Sequence, residues 1–301
     1  MATARPAPPP RGDFVEIAQG GARRRLHIVR AGPASGEPLV LLEAGSFGFS
    51  ADWAVVQAGL ARFGRRSLAY DRAGLGLSQP GPAPRDGLAI VSDLERMLEA
   101  AGETGPLILA GHSMAGLHLH LFAGRNPGRI AGLVLVDAVT PGVAAHPTVA
   151  RGAAHYVSLA KAVAWGASSG LLDLASRWGD RIGLPDDAAA HKRWAFANPG
   201  HRRAAADEII QWERAVAQAA AAGPLDPRWP VVVVTAGPAP MYFKPRAIQA
   251  DPAARARLGY IQNVPKANHA SLMGRRHAQT VVKAIEFVHK AAASLEPATS
   301  P

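Results

Sequence analysis

The period of apolar and polar positions changes several times along the chain, and those changes set its organisation. Phe14 to Ile17 and Arg25 to Arg30 alternate residue by residue, which predicts an antiparallel pair at a sheet edge, turned by Gly20-Gly21. Leu39 to Leu42 and Ile130 to Val136 are apolar runs, the form of strands buried on both faces, and Ser67 to Tyr70, Leu107 to Ala110, Val231 to Thr235 and Tyr260 to Val264 are further short strands. Helices are predicted between them, over 51–62, 87–101, from the end of the Leu107 strand to 123, 246–258 and 277–293. Strands alternating with helices make an α/β fold: a mainly parallel eight-stranded sheet, covered on both faces, with reactive loops at the carboxyl ends of its strands.

Over 141–229 the strand rhythm stops and alanine-rich helical stretches replace it, around 150–164, 169–178, 186–196 and 202–222. The expected organisation is a disordered tail over 1–13, a core made of 14–140 and 230–293, an inserted helical cap over 141–229, and a second tail over 294–301. No internal repeat is apparent.

Composition narrows the function classes. The net charge of +10 invites a nucleic-acid reading, but the arginines are scattered, with one triplet at Arg23 to Arg25 and no helix-length basic stripe. A solvated surface is the reading adopted, with no nucleic-acid partner. No apolar run reaches the ~18 residues that a membrane span requires. The first ten residues, rich in Ala and Pro, lack the apolar stretch of a secretory signal. The absence of cysteine excludes disulfides and thiolate metal sites, and a cytoplasmic location is expected. Nothing in the pattern sets an oligomeric state.

The chemistry concentrates at Leu107 to Gly116, Leu-Ile-Leu-Ala-Gly-His-Ser-Met-Ala-Gly, where an apolar strand runs into a serine flanked by small residues and then into a helix. A serine hydroxyl is a weak nucleophile unless a sharp turn presents it beside a base and backbone donors. Gly111 and Ala115 stand two residues either side of Ser113, with Gly116 following. A strict motif has glycine in place of Ala115.

Three further segments join it: Leu-Glu-Ala-Gly-Ser-Phe-Gly (42–48), Tyr-Asp-Arg-Ala-Gly-Leu-Gly-Leu-Ser (70–78) and Asn-His-Ala-Ser (268–271). In order and spacing the four resemble the α/β-hydrolase family, from about residue 14 to 293. The resemblance implies a serine hydrolase that needs no cofactor or metal. Ser113 is its nucleophile, His269 its base, and the backbone amides of Met114 and Ser46 are its oxyanion donors, with Phe47 a possible replacement for Ser46.

Most family members carry the triad acid after the seventh strand, but 235–246 contains no acid here, so Asp137 after the sixth strand is the leading candidate and Asp251 the reserve. His112 is read as structural, and His118 and His120, two apart on a helix, cannot chelate one metal. Glu43 is expected to point into a structural network, and Asp71 and Arg72 to tie their loop. Five of the six tryptophans fall in 141–229. Of these, Trp165, Trp194 and Trp212, together with Phe47, are candidates for lining a pocket for a small or medium apolar ester or amide. Gln211 to Arg214 is similar to the Trp-Glu segment in the cap of proline iminopeptidases, where an acid receives the substrate's amino group. An acyltransferase, a lyase, or a ligand receptor with a slow triad stay open as alternatives.

Overall fold

A computed structural model describes residues 7–34, 38–166, 182–238 and 246–295. The chain opens with strands β1 (Asp13–Gln19) and β2 (Ala22–Ala31), joined by Gly20-Gly21. Both turn residues have positive φ, 58° and 80°, the pairing that a two-residue hairpin needs and that glycine adopts without strain. β3 (Leu39–Glu43) is followed by a 3-10 turn at Ser50–Trp53 and by α1 (Ala54–Arg62). β4 (Ser67–Tyr70) precedes α2 (Gly87–Ala100), which starts where the Asp86 carboxylate accepts from the Ala89 amide. β5 (Leu107–His112) enters α3 (Ala115–Arg125), and β6 (Ile130–Val136) follows.

Among the described residues five helices then separate β6 from β7: α4 (Pro141–Ala145), α5 (Pro147–Gly166), α6 (Asp186–Ala197), α7 (Pro199–Ile210) and α8 (Trp212–Ala221). β7 (Val231–Ala236), α9 (Arg246–Arg255), β8 (Gly259–Val264) and α10 (Ala278–Ser294) complete the chain. Among the described residues no helix is long and apolar enough to cross a membrane.

The eight strands form one sheet in the order β1-β2-β4-β3-β5-β6-β7-β8. β2 is antiparallel to both of its neighbours, and every other pairing is parallel. The apolar runs are explained by the period of two. Val40, Leu42, Ile108, Ala110, Val134 and Val232 face α1 and α10, while Leu39, Leu41, Leu107, Leu109, Leu133 and Val231 face α2 and α3. Each central strand thus gives alternate residues to two separate cores.

Differences from the sequence reading are local. The helix expected over 202–222 is two helices, broken at Gln211 (φ −86°, ψ 13°) with no Gly or Pro to signal it. The break lets Trp212 turn inward, where it is 9% exposed. Residues just before β1, read as part of a tail, are held against α6, because Pro9 O accepts from His191 Nε2 at 2.8 Å and Arg11 pairs with Asp187 at 2.8 Å. The helix expected at 169–178, with Trp178, lies outside the described residues.

Candidate active site

At the carboxyl end of β5, Ser113 sits at φ 58°, a left-handed conformation that costs a residue with a side chain about 1–3 kcal/mol. The surroundings enforce it. The Ser113 amide donates to Val136 O at 3.2 Å, and the Ser113 carbonyl accepts from Val139 N at 2.8 Å and Gly116 N at 3.1 Å. The close approach explains the small neighbours. A Cβ on Gly116 would stand 2.4 Å from Val139 O, and one on Gly111 would stand 2.6 Å from Leu119 Cδ1. Ala115 is fully buried and tolerated, so the glycine that this turn needs on its helical side is Gly116.

The segment clamped to Ser113 carries Asp137, which is also at positive φ, 44°. Its amide donates to Val234 O at 2.6 Å, and its carboxylate faces the loop after β8. Oδ2 lies 2.5 Å from His269 Nδ1, and Oδ1 accepts from Gln249 Nε2 at 3.2 Å. Gln249, on α9, was not foreseen; a glutamine on a helical face carries no sequence signal. His112 Nε2 donates to the His269 carbonyl at 2.9 Å, and the two rings lie 4.4 Å apart. Asp251 faces elsewhere: its carboxylate pairs with Arg255 on α9 at 2.8 Å.

The 42–48 loop completes the rim. Gly48 N donates to Gly45 O at 3.0 Å, closing a turn with Phe47 at φ 57°. A Cβ on Gly45 would stand 2.7 Å from Ser113 Cβ, so only glycine lets the loop approach the serine. Ser46 Oγ lies 3.5 Å from Met114 Sδ. Met114 begins the turn into α3, where the first amides of a helix lack intrahelical acceptors.

Beneath this loop lies a buried ionic network. Arg72 reaches Glu208 of α7 at 2.8 Å and Glu43 at 3.5 Å, and donates to the carbonyls of Ala44 at 2.5 Å and Gly45 at 2.9 Å. Glu43 also accepts from Tyr70 at 2.5 Å and meets His118 Nδ1 at 2.9 Å. Burial raises the Glu43 carboxyl, but the hydrogen bond and charge of His118, with Arg72 and Tyr70, outweigh burial and hold it below its ordinary value. Burial likewise opposes the Arg72 charge, and Glu208 with Glu43 reverses the effect, raising it. Asp71 is fixed in the same way, with His27 at 3.0 Å and the amides of Ser50 and Leu77 at 2.9 Å.

A cavity of about 540 Å³ opens above Ser113 and is lined also by Ser46, Asp137 and His269. Its walls come from α5 and α8, with Val149, Ala153, Tyr156 and Trp212. Burial raises the Tyr156 phenol, and its hydrogen bond with the Ser46 side chain partly offsets this. Of the candidate pocket residues, Trp212 lines the cavity. Trp165 does not: it is 92% exposed near the end of α5. Trp194 packs against the α1–α10 core, and Phe47 packs beside Ala160, Ala206 and Ile209. Tryptophan in a helical insertion marks burial or pocket equally, so composition could not separate these four. Glu213, the acid of the Trp-Glu segment, is exposed.

A left-handed serine between a parallel strand and a helix, with a histidine of the loop after β8 paired to a carboxylate after β6, is an arrangement of the α/β-hydrolase class. Residues 38–165, less than half of the chain, match the family model described as alpha/beta hydrolase fold. The chain is 38% identical over 117 residues to a protein of Variovorax paradoxus (strain S110) named as carbamate hydrolase RutD, and 34% identical over 122 residues to one of Hormonema carpetanum named as transporter efuK. The chain spans less than half of each, 42% and 17% respectively. Two similar solved structures show the same fold. One is a thermophilic esterase of Thermogutta terrifontis (TM-score 0.65, 21% identity), where the likeness covers 92% of this chain and 100% of that one. The other is an enol-lactonase of Burkholderia xenovorans LB400 (TM-score 0.65, 17% identity), covering 91% and 99%.

Proposed function

We propose that the protein is a serine hydrolase that cleaves a carboxylic ester of small to medium, largely apolar body through an acyl-enzyme. His269 takes the proton from Ser113 as the hydroxyl attacks the carbonyl, then returns it to the leaving alcohol. Asp137 holds the imidazole with Nδ1 protonated and stabilises its charged form. The amides of Met114 and Ser46 receive the oxyanion, each worth about 3 kcal/mol of barrier. Water then repeats the sequence on the acyl group. The helices between β6 and β7 act as a cap that shapes the cavity.

The observation that carries this reading is the 2.5 Å contact of His269 Nδ1 with Asp137, in a cavity that Ser113 also lines. The chemistry of the nucleophile narrows the reaction further. Attack by a serine on a saturated carbon leaves an ether that water does not cleave, whereas attack on a carbonyl leaves an ester that it does. The relatives named as esterase, lactonase and carbamate hydrolase fit a carbonyl centre. The exposed position of Glu213 removes the group that would receive a free amine, so ester is preferred to aminopeptidase substrate. A series of 4-nitrophenyl esters of rising chain length, run beside proline naphthylamide, tests this. Turnover of short and medium esters with none of the amide is expected; amide turnover alone would overturn it.

A further inference from the structure

Arg246 is the one lysine or arginine among the described residues that line the Ser113 cavity. Its guanidinium is anchored through a single nitrogen, Nη2, which donates to Gly237 O at 3.0 Å and Asn263 Oδ1 at 2.9 Å. Both acceptors are neutral, and both lie at the carboxyl ends of strands, Gly237 just past β7 and Asn263 within β8. Asn263 is itself pinned, accepting from Thr235 Oγ1 at 3.0 Å. The anchor therefore fixes the head group while leaving Nε and Nη1 without a hydrogen bond among the described residues.

Among the described residues its charge has no counterpart, since no carboxylate pairs with Arg246. Asp137, in the same cavity, directs Oδ2 to His269 and Oδ1 to Gln249. The remaining walls are largely apolar, with Val139, Val149, Ala153 and Trp212. A guanidinium left partly desolvated with only neutral acceptors is an unfavourable arrangement that an incoming anion relieves. A surface arginine gains nothing from such a place, and a purely structural one is ordinarily paired.

We infer that the cavity takes esters carrying a carboxylate remote from the scissile bond, and that Arg246 receives it through a charge-assisted hydrogen bond. A single cation suits a singly charged group better than a doubly charged phosphate. The substrate then has an apolar body against α5 and α8 and one anionic end towards β7 and β8. The hydrolytic part of this inference rests on Ser113 as nucleophile; the anion-binding part does not.

Two measurements keep those parts distinguishable. The first compares 4-nitrophenyl hemiadipate with 4-nitrophenyl hexanoate, equal in chain length and different in one terminal carboxylate. The wild type is expected to favour the hemiadipate in kcat/KM by about tenfold or more, mostly through KM. Arg246→Gln brings the ratio close to one, and Arg246→Lys restores part of it. Equal rates on the two esters in the wild type, or a loss in Arg246→Gln that is the same for both, would overturn the inference. The second titrates adipate into Ser113→Ala by calorimetry, where turnover plays no part. Binding that disappears in Ser113→Ala/Arg246→Gln supports the anion site even if neither ester is cleaved, an outcome that would remove the hydrolase reading alone. Absence of adipate binding to Ser113→Ala would overturn the anion site.

Discussion

His112 Nε2 donates to the backbone carbonyl of His269 at 2.9 Å, so the residue next to Ser113 holds the loop that carries the histidine facing it. This bond ties β5 to the segment after β8, and the two rings, tilted by 35° with centroids 4.4 Å apart, pack against each other. Replacing His112 with Phe keeps the ring and removes the donor. The expected result is a fall in kcat of about tenfold with a smaller change in KM, since positioning of the base and not ground-state binding is lost. Steady-state kinetics on a 4-nitrophenyl ester reads this, and an unchanged kcat would show that the loop is held by other contacts.

The two candidate acids separate sharply. Asp137→Asn is expected to lower kcat by about 10³- to 10⁴-fold, because the amide favours the wrong tautomer of His269. Asp251→Asn, whose carboxylate among the described residues pairs with Arg255 on the surface of α9, should stay within about twofold. Gln249→Leu belongs between them, with a several-fold fall in kcat, because it removes the hydrogen bond to the second oxygen of Asp137.

Much of this site was legible from residue order, and what was missed has a physical cause. Alternation predicted β1 and β2 and short apolar runs predicted the other six strands, because the central strands bury both faces; β8, at the sheet edge, is largely exposed or half-buried. Asp137 emerged because the seventh-strand loop contains no acid. Gln249 and the His112 bond depend on how α9 and the loop after β8 approach β5, and no local pattern encodes that approach. The Arg72–Glu208 contact joins residues far apart in sequence, and its existence depends on where α7 lands on the core. Of the tryptophan candidates Trp212 lines the cavity while Trp165 and Trp194 do not, because where each lands depends on how the helices between β6 and β7 pack, which no local pattern encodes.

That long-range ion pair makes a stability prediction. Arg72 and Glu208 are both almost fully buried, and Arg72 also fastens the Ala44 and Gly45 carbonyls. Glu208→Gln leaves a buried guanidinium short of one of its two carboxylates, which is expected to cost about 3 kcal/mol of stability in urea unfolding. A change below about 0.5 kcal/mol would mean that Glu43 alone compensates the charge.

The pH dependence of folding offers a further test through His201 of α7, whose ring Nδ1 accepts from the Gly76 amide at 3.0 Å. Burial, together with the nearby charge of Lys192, pushes this histidine from an ordinary 6.5 down to about 3. The folded chain therefore stays unprotonated there while the unfolded chain takes up a proton as pH falls below 6.5. Between those two values the unfolded state binds more protons, so stability rises with pH at up to about 1.4 kcal/mol per unit from this group and levels above 6.5. Urea titrations at several pH values should show that slope, and His201→Gln should reduce it. An undiminished slope in the variant would place the dependence on other groups.

The most direct test of the account is covalent labelling of Ser113. A fluorophosphonate reacts with a serine hydroxyl only where a base removes its proton and donors accept the developing oxyanion, so labelling reports the assembled site whatever the natural substrate is. Intact-mass and peptide mapping of the wild type are predicted to show one adduct, on Ser113, with none on Ser113→Ala and strongly slowed labelling of His269→Ala. A wild-type protein that stays unlabelled, or one labelled equally after Ser113→Ala, would contradict the proposed nucleophile.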